Sequence, residues 1–145
     1  MKKKKKIDLN STLCKIVEEC EQVQKIGTFN FKKIDNDFFL TDIDYDLLKL
    51  LHLSKKDVIN KNLKDICINR KTKNLLYSVC QTAWESNLAN VFTICLHDIL
   101  YCFILKTITS EKVGKMVRGY CVPVNQNGEF RITDSITTFS RNDFI

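Results

Sequence analysis

Residues 36–66 read NDFFLTDIDYDLLKLLHLSKKDVINKNLKDI, a half-buried strand that passes through an acidic turn into three very short helical segments. Phe38, Phe39 and Leu40 give the strand. Leu47, Leu48, Leu50 and Leu51 recur at one-, three- and four-residue spacings that suit one or two helical turns. Ser54, followed three residues later by Asp57, marks a helix N-terminus, so residues 55–59 form a single turn before Asn60 and Asn62 interrupt it. Residues 63–67 start another turn.

Upstream, Gly27 stops a helix, and residues 28–34 alternate Phe29, Phe31 and Lys33 against Asn30, Lys32 and Ile34 as a first strand does; residues 37–41 supply the second. Before them, residues 11–25 carry Leu13, Ile16, Val17 and Cys20 at three- and four-residue intervals, with Lys15, Glu18, Glu19 and Gln22 mostly on the other side. An amphipathic helix of this kind requires a partner surface.

Downstream, residues 71–87 hold Leu75, Leu76, Val79, Cys80, Ala83 and Trp84 in a helical stripe that predicts the longest helix of the chain. Residues 90–96, 100–109 and 115–124 are rich in β-branched and aromatic side chains, with breaks short enough for hairpins, and predict three sequential antiparallel strands. They do not alternate cleanly. Phe92, Ile94 and Leu96 define one face, yet Cys102 and Ile104 oppose Tyr101, Phe103 and Leu105, so both faces are expected to be covered. The helical segments of 45–87 cover one face; helix 11–25 or a second subunit covers the other. The single proline, Pro123, falls near the end of the last strand, where a lost ladder donor is tolerated.

The chain has 145 residues, the usual size of one domain, and can bury roughly two-thirds of its unfolded surface without disulfide or metal staples. Its formal charge of +6 comes from the lysine run: residues 2–6 hold 5 of the 23 basic residues, which leaves 18 against 17 acids. The folded body is therefore near neutral. Seven cysteines without a C-x-x-C pair, set in apolar runs, read as reduced, packed thiols of a cytoplasmic protein. No apolar run approaches 18 residues, so neither a membrane span nor a secretory signal is expected. Met1 favours a complete chain.

Candidate chemistry is sparse. No nucleophile elbow, zinc-protease helix or phosphate loop is present, and four glycines could scarcely build one. His52 reads as a polar residue of a short exposed helix, and His97 beside Asp98 as a hairpin turn; two separated histidines make a poor metal site. Cys80 and Cys95 lie on apolar stripes that suit inert packing rather than a reactive thiolate. Asp35, Asp37, Asp42, Asp44 and Asp46 lack the Gly and closing Glu of a calcium loop and serve as capping and solvated acids. The lysine run, without interleaved aromatics, reads as a solubilising tail rather than a nucleic-acid site.

The order of elements, with the stretch DLLKLLHLSKKDVINKNLKDI between a strand pair and one longer helix, resembles the PAS domain family over residues 27–124. The resemblance implies an α+β fold: a five-stranded antiparallel sheet with short helices and one longer helix on one face, and the N-terminal amphipathic helix on the other. Residues 1–26 are then a basic tail and helix, and residues 125–145 a polar C-terminal tail. The resemblance also implies a pocket walled by Phe39, Leu48, Leu51, Leu63, Ile66, Leu76, Val79 and Cys80 from strand and helices. Phe92, Ile94, Phe103, Tyr120 and Val122 complete it from the sheet, the alternative being a solid core.

Departures from the family pattern narrow the cofactor. In place of the reactive-cysteine motif of photochemical flavin domains stands Cys67, Ile68, Asn69, Arg70, Lys71, and no histidine lies between His52 and His97 to ligate haem. No cofactor is evident. The D-I-T handover to an output helix is replaced by Pro123, Val124, Asn125 and Gln126, with only a loose match at Arg131, Ile132, Thr133 and Asp134, and residues 129–145 have no heptad pattern.

The sequence thus points to a stand-alone, non-enzymatic sensory and protein-interaction module. It is expected to dimerise through its sheet and the stripe Leu13, Ile16, Val17 and Cys20, and to modulate a signalling partner such as a histidine kinase, with a small ligand possible in the pocket. The competing readings are a small-ligand α+β enzyme using His52 or His97, and a nucleic-acid-associated regulator using the lysine tail.

Overall fold

The computed structural model describes residues 26–86, 89–123 and 137–145. Strands β1 (Gly27–Ile34) and β2 (Asp37–Ile43) form a hairpin closed by Asp35 and Asn36 at φ of 51° and 66°. A two-residue turn with both residues left-handed matches the twist of the flanking strands, and Asp and Asn adopt it at small cost. Three one- or two-turn helices follow, α1 (Tyr45–Leu50), α2 (Lys55–Val58) and α3 (Leu63–Ile66), with the two-residue β3 (Lys61–Asn62) between the last two. Then come the long helix α4 (Arg70–Ser86) and strands β4 (Asn90–Leu96), β5 (Ile99–Ser110) and β6 (Gly114–Pro123). Strand β7 (Thr137–Ser140) and a 3-10 turn over Arg141–Asp143 lie beyond them.

Among the described residues, seven strands form one sheet in the order β3-β2-β1-β6-β5-β4-β7. The five expected strands are its centre and pair antiparallel throughout. The sequence expectation of five strands is corrected at both edges: β3 adds two residues beside β2, and β7 runs parallel to β4, which makes the sheet mixed. The N-terminal helix expected over residues 11–25 lies outside the described residues.

Local capping follows the residue types with one correction. Ser54 occupies the N-cap position of α2 without a side-chain cap bond, whereas Asn62 Oδ1 accepts from the Asp65 amide at 3.0 Å and so starts α3. Asp44, at the N-cap position of α1, turns its carboxylate back to accept the Thr28 amide at 2.8 Å, which fixes the helix against β1.

The core lies between the helices and one face of the sheet. From α4 it takes Thr72, Leu76, Val79, Cys80 and Ala83, while Leu75, placed on the apolar stripe by sequence, is 39% exposed. Trp84 is half-buried under the Lys115 ammonium, 4.1 Å from the ring centre, and that ammonium also donates to the Trp84 carbonyl at 3.0 Å. From the sheet the core takes Phe29, Phe31, Phe92, Ile94, Phe103, Leu105, Val117 and Cys121. Gly119 leaves room for Phe29, its cross-strand partner: a Cβ there would lie 2.0 Å from Phe29 Cζ, so this ring position excludes any side chain. The opposite face is also apolar and closed, with Val91, Cys102, Ile104 and Val122 all buried.

Candidate functional site

Where the sheet curves away from α1 and α3 the packing leaves a cavity of about 60 Å³. The hairpin contributes Phe29, Phe31, Leu40 and Ile43; the helical segment Leu47, Leu51, Leu53, Ile66 and Leu76; and β4 and β5 contribute Phe92, Ile94 and Phe103. Arg141 and Phe144 close it from the C-terminal segment. Its shape follows from the aromatic ladder: Phe92 stacks on Phe103 with centroids 4.9 Å apart and planes 7° apart, and Phe29 leans on Phe103 at 6.0 Å. Rings held this way cannot collapse inward, so the space between them and the short helices stays open.

The one charged wall residue is already committed. Arg141 Nη1 donates to the Phe144 carbonyl at 3.1 Å, and Nη2 to the carbonyls of His52 at 3.1 Å and Ile145 at 3.0 Å. The space therefore offers shape and apolar surface. It is well below the roughly 300–1,000 Å³ of sites for drug-sized molecules, and suits an apolar molecule of a few heavy atoms.

Of the residues the sequence proposed for a pocket wall, Leu51, Ile66, Leu76, Phe92, Ile94 and Phe103 meet at this cavity. Leu63, Val79 and Cys80 are buried in the core but do not line it, and Leu48 borders a separate surface groove with Tyr45 and Lys49. Phe39, Tyr120 and Val122 occupy the other sheet face, since their strand neighbours Phe38, Leu40, Gly119 and Cys121 take the inward positions. Leu13, Ile16, Val17 and Cys20, proposed for a dimer interface, lie outside the described residues. Sequence reasoning missed Phe29, Phe31, Leu40, Ile43, Leu47, Leu53, Arg141 and Phe144. The first two were visible as alternating aromatics of β1; the last two sit in a polar stretch with no periodic signal.

His97 and Asp98 form the β4–β5 turn at φ of 49° and 64°, and His52 ends α1 at φ of 53°. The fold brings the two imidazoles to 6.3 Å, edge to face, both exposed and away from the cavity. No group of three metal-ligating side chains occurs among the described residues.

Four thiols are held protonated. Burial pushes Cys67 and Cys121 up to about 12 and Cys102 up to about 11, and it raises Cys80, which is completely enclosed. The Asp143 carboxylate adds to the effect at Cys67, and neighbouring cysteines add at Cys80 and Cys121. Such thiols are poor nucleophiles, which removes Cys80 as a redox centre; Cys95 is exposed.

Against known proteins, no family model matches the sequence, and no curated protein matches it. Solved structures do match in shape. A domain of an HTR-like protein from Haloarcula marismortui aligns over 68% of this chain and 97% of its own, at 9% identity and a TM-score of 0.51. A sensory box sensor histidine kinase from Vibrio cholerae aligns over 79% of this chain and 93% of its own, at 11% identity and a TM-score of 0.52. A light-oxygen-voltage domain studied with a flavin analogue aligns over 78% and 87%, at 10% identity and 0.51. What is shared at these identities is the fold, and together with the element order it defines this chain as having a PAS fold. Among the described residues, no helix is long and apolar enough to cross a membrane.

Proposed function

We propose that this chain is a cytoplasmic sensory and protein-interaction module that takes a small apolar molecule between its sheet and its short helices, and that passes the resulting change in packing to a signalling partner such as a histidine kinase. The apolar cavity of about 60 Å³ carries this reading. A packed core of this size has few voids larger than a water molecule, and an apolar void with rigid aromatic walls is the kind that stays dry and accepts apolar guests. Ligand shifts the equilibrium between two arrangements of the helices by its differential affinity for them and by no more than that. Solved structures of the same fold, one of them a sensor histidine kinase, support the class of partner.

Association is assigned to residues 11–25, whose stripe Leu13, Ile16, Val17 and Cys20 gives each copy an apolar face for a second one. Native mass spectrometry of the purified chain, compared with the denatured chain, tests both parts. The expected result is a dimer that sheds a small retained mass on denaturation and becomes a monomer on removal of residues 1–26. A bare chain whose subunit number does not change on that truncation overturns the reading.

A further inference from the structure

The chain has two histidines, and both stand where the backbone is left-handed, at φ of 53° for His52 and 49° for His97. The other non-glycine residues in this conformation among the described residues are Asp or Asn, whose short polar side chains bond locally and enter it readily. Residues held in such sparsely populated conformations collect at ligand clamps and other functional positions.

Both backbones are pinned. The His52 amide donates to the Lys49 carbonyl at 3.2 Å, and the His52 carbonyl accepts from Arg141 Nη2 at 3.1 Å. His97 and Asp98 form the two-residue turn that closes the pair Leu96↔Ile99, the last of the β4–β5 ladder. These contacts fix where the side chains start and leave the rings to solvent: both residues are exposed, and among the described residues no hydrogen bond engages either ring.

Distant in sequence, the two rings face each other at a centroid separation of 6.3 Å with planes 83° apart. Two imidazoles that share one tetrahedral ion, at metal–nitrogen distances of about 2.0–2.1 Å, hold their ring centres roughly 5 Å apart. The observed separation is a little over that span, and rotation of two exposed side chains about χ1 and χ2 closes the difference.

We propose that His52 and His97 form a two-imidazole site for a transition-metal dication of the Zn²⁺ class, placed where the end of α1 meets the β4–β5 turn. Imidazole suits Zn, Ni and Cu, and the exposed position leaves the remaining coordination places to water or to a group from outside the chain. The ion ties α1 to the turn. The α1 segment gives the cavity Leu47 and Leu51, while β4 and β5 give it Phe92, Ile94 and Phe103, so a bound ion fastens two of the cavity walls to each other. The site itself stands on the geometry of the two rings, whether or not the cavity takes a guest.

The test uses the full chain without a histidine tag, stripped of metal and kept reduced. Zn²⁺ alone is titrated at neutral pH and followed by NMR of the histidine ring nitrogens, which belong to His52 and His97 only. Both rings are expected to shift together with a single midpoint and to saturate at one ion per chain. His52→Asn and His97→Asn each remove the ligand and retain a residue that accepts the left-handed turn. In each variant the remaining ring is expected to need at least tenfold more Zn²⁺ to reach half its shift. Cys95→Ser, which removes the exposed thiol, is expected to leave the midpoint unchanged. Rings that stay in place or shift with separate midpoints overturn the proposal, as does an Asn variant whose remaining ring keeps the parent's midpoint. A midpoint raised at least tenfold by Cys95→Ser also overturns it, and saturation at one ion per two chains overturns it in favour of a bridge between copies.

Discussion

Phe103→Ala is expected to lower the free energy of unfolding by about 3–5 kcal/mol, the range for removing a fully buried aromatic side chain. Phe103 is 2% exposed, stacks on Phe92, leans on Phe29 and lies opposite Cys121 in β6, so its loss removes contacts from three strands at once. Its neighbours are ladder residues fixed by pairing on both sides, and they relax little into the space. The cost therefore falls toward the upper part of the range, and the cavity grows. Urea unfolding of the variant beside Phe39→Ala, a half-buried residue of the other sheet face, isolates the effect. A loss below about 1 kcal/mol at Phe103 would contradict the aromatic ladder as the frame of the cavity.

Stability is expected to fall steeply in alkali because of the enclosed thiols. Cys80 and Cys121 are both completely buried, and Cys121 is pushed from an ordinary 9.0 to about 12 by loss of hydration, with Cys102 adding to it. Below pH 9 folded and unfolded chains both keep these protons and stability does not depend on them. Above pH 9 the unfolded chain releases them while the folded chain holds them, so the unfolded state binds fewer protons and stability decreases as pH rises toward 12. Each thiol contributes about 1.4 kcal/mol per pH unit in that window, so the pair removes about 3 kcal/mol by pH 10. Cys67 and Cys102, raised in the same way, add to this slope, so denaturation midpoints measured from pH 8 to 10.5 read all four thiols and Cys121→Ala should remove about a quarter of it. A slope unchanged by that substitution would contradict the enclosure of Cys121.

The long helix was legible from its 3.6-residue apolar period, β1 from its alternation, and the last three central strands from their β-branched and aromatic content, with turn residues at 35–36, 97–98 and 110–114 separating them. The edges were not. Strand β3 is two residues long, too short for any period, and β7 is a Thr- and Ser-rich segment whose only apolar member is Phe139. Its parallel pairing with β4 depends on contacts across more than 40 positions, which no local pattern encodes.

The candidate wall was half legible for a related reason. In β6 both faces are apolar, so hydrophobicity could not say whether Tyr120 and Val122 or Cys121 points inward. Gly119 opposite Phe29 decides it, because only the inward face needs a missing side chain. In β2 adjacent phenylalanines posed the same ambiguity, and the parity of Leu40 with Phe38 resolved it against Phe39. Arg141 and Phe144 entered the wall through tertiary contact alone.

The most direct test of the account is whether the cavity between sheet and helices accepts an apolar guest. Xenon, which enters dry apolar cavities of this kind, can be titrated against methyl-labelled protein by NMR. The account predicts saturable shifts confined to Leu40, Ile43, Leu47, Leu51, Leu53, Ile66, Leu76 and Ile94, with Ile104 and Val122 on the opposite face unchanged. Wall methyls that do not move, or shifts that appear on the opposite face, would contradict it.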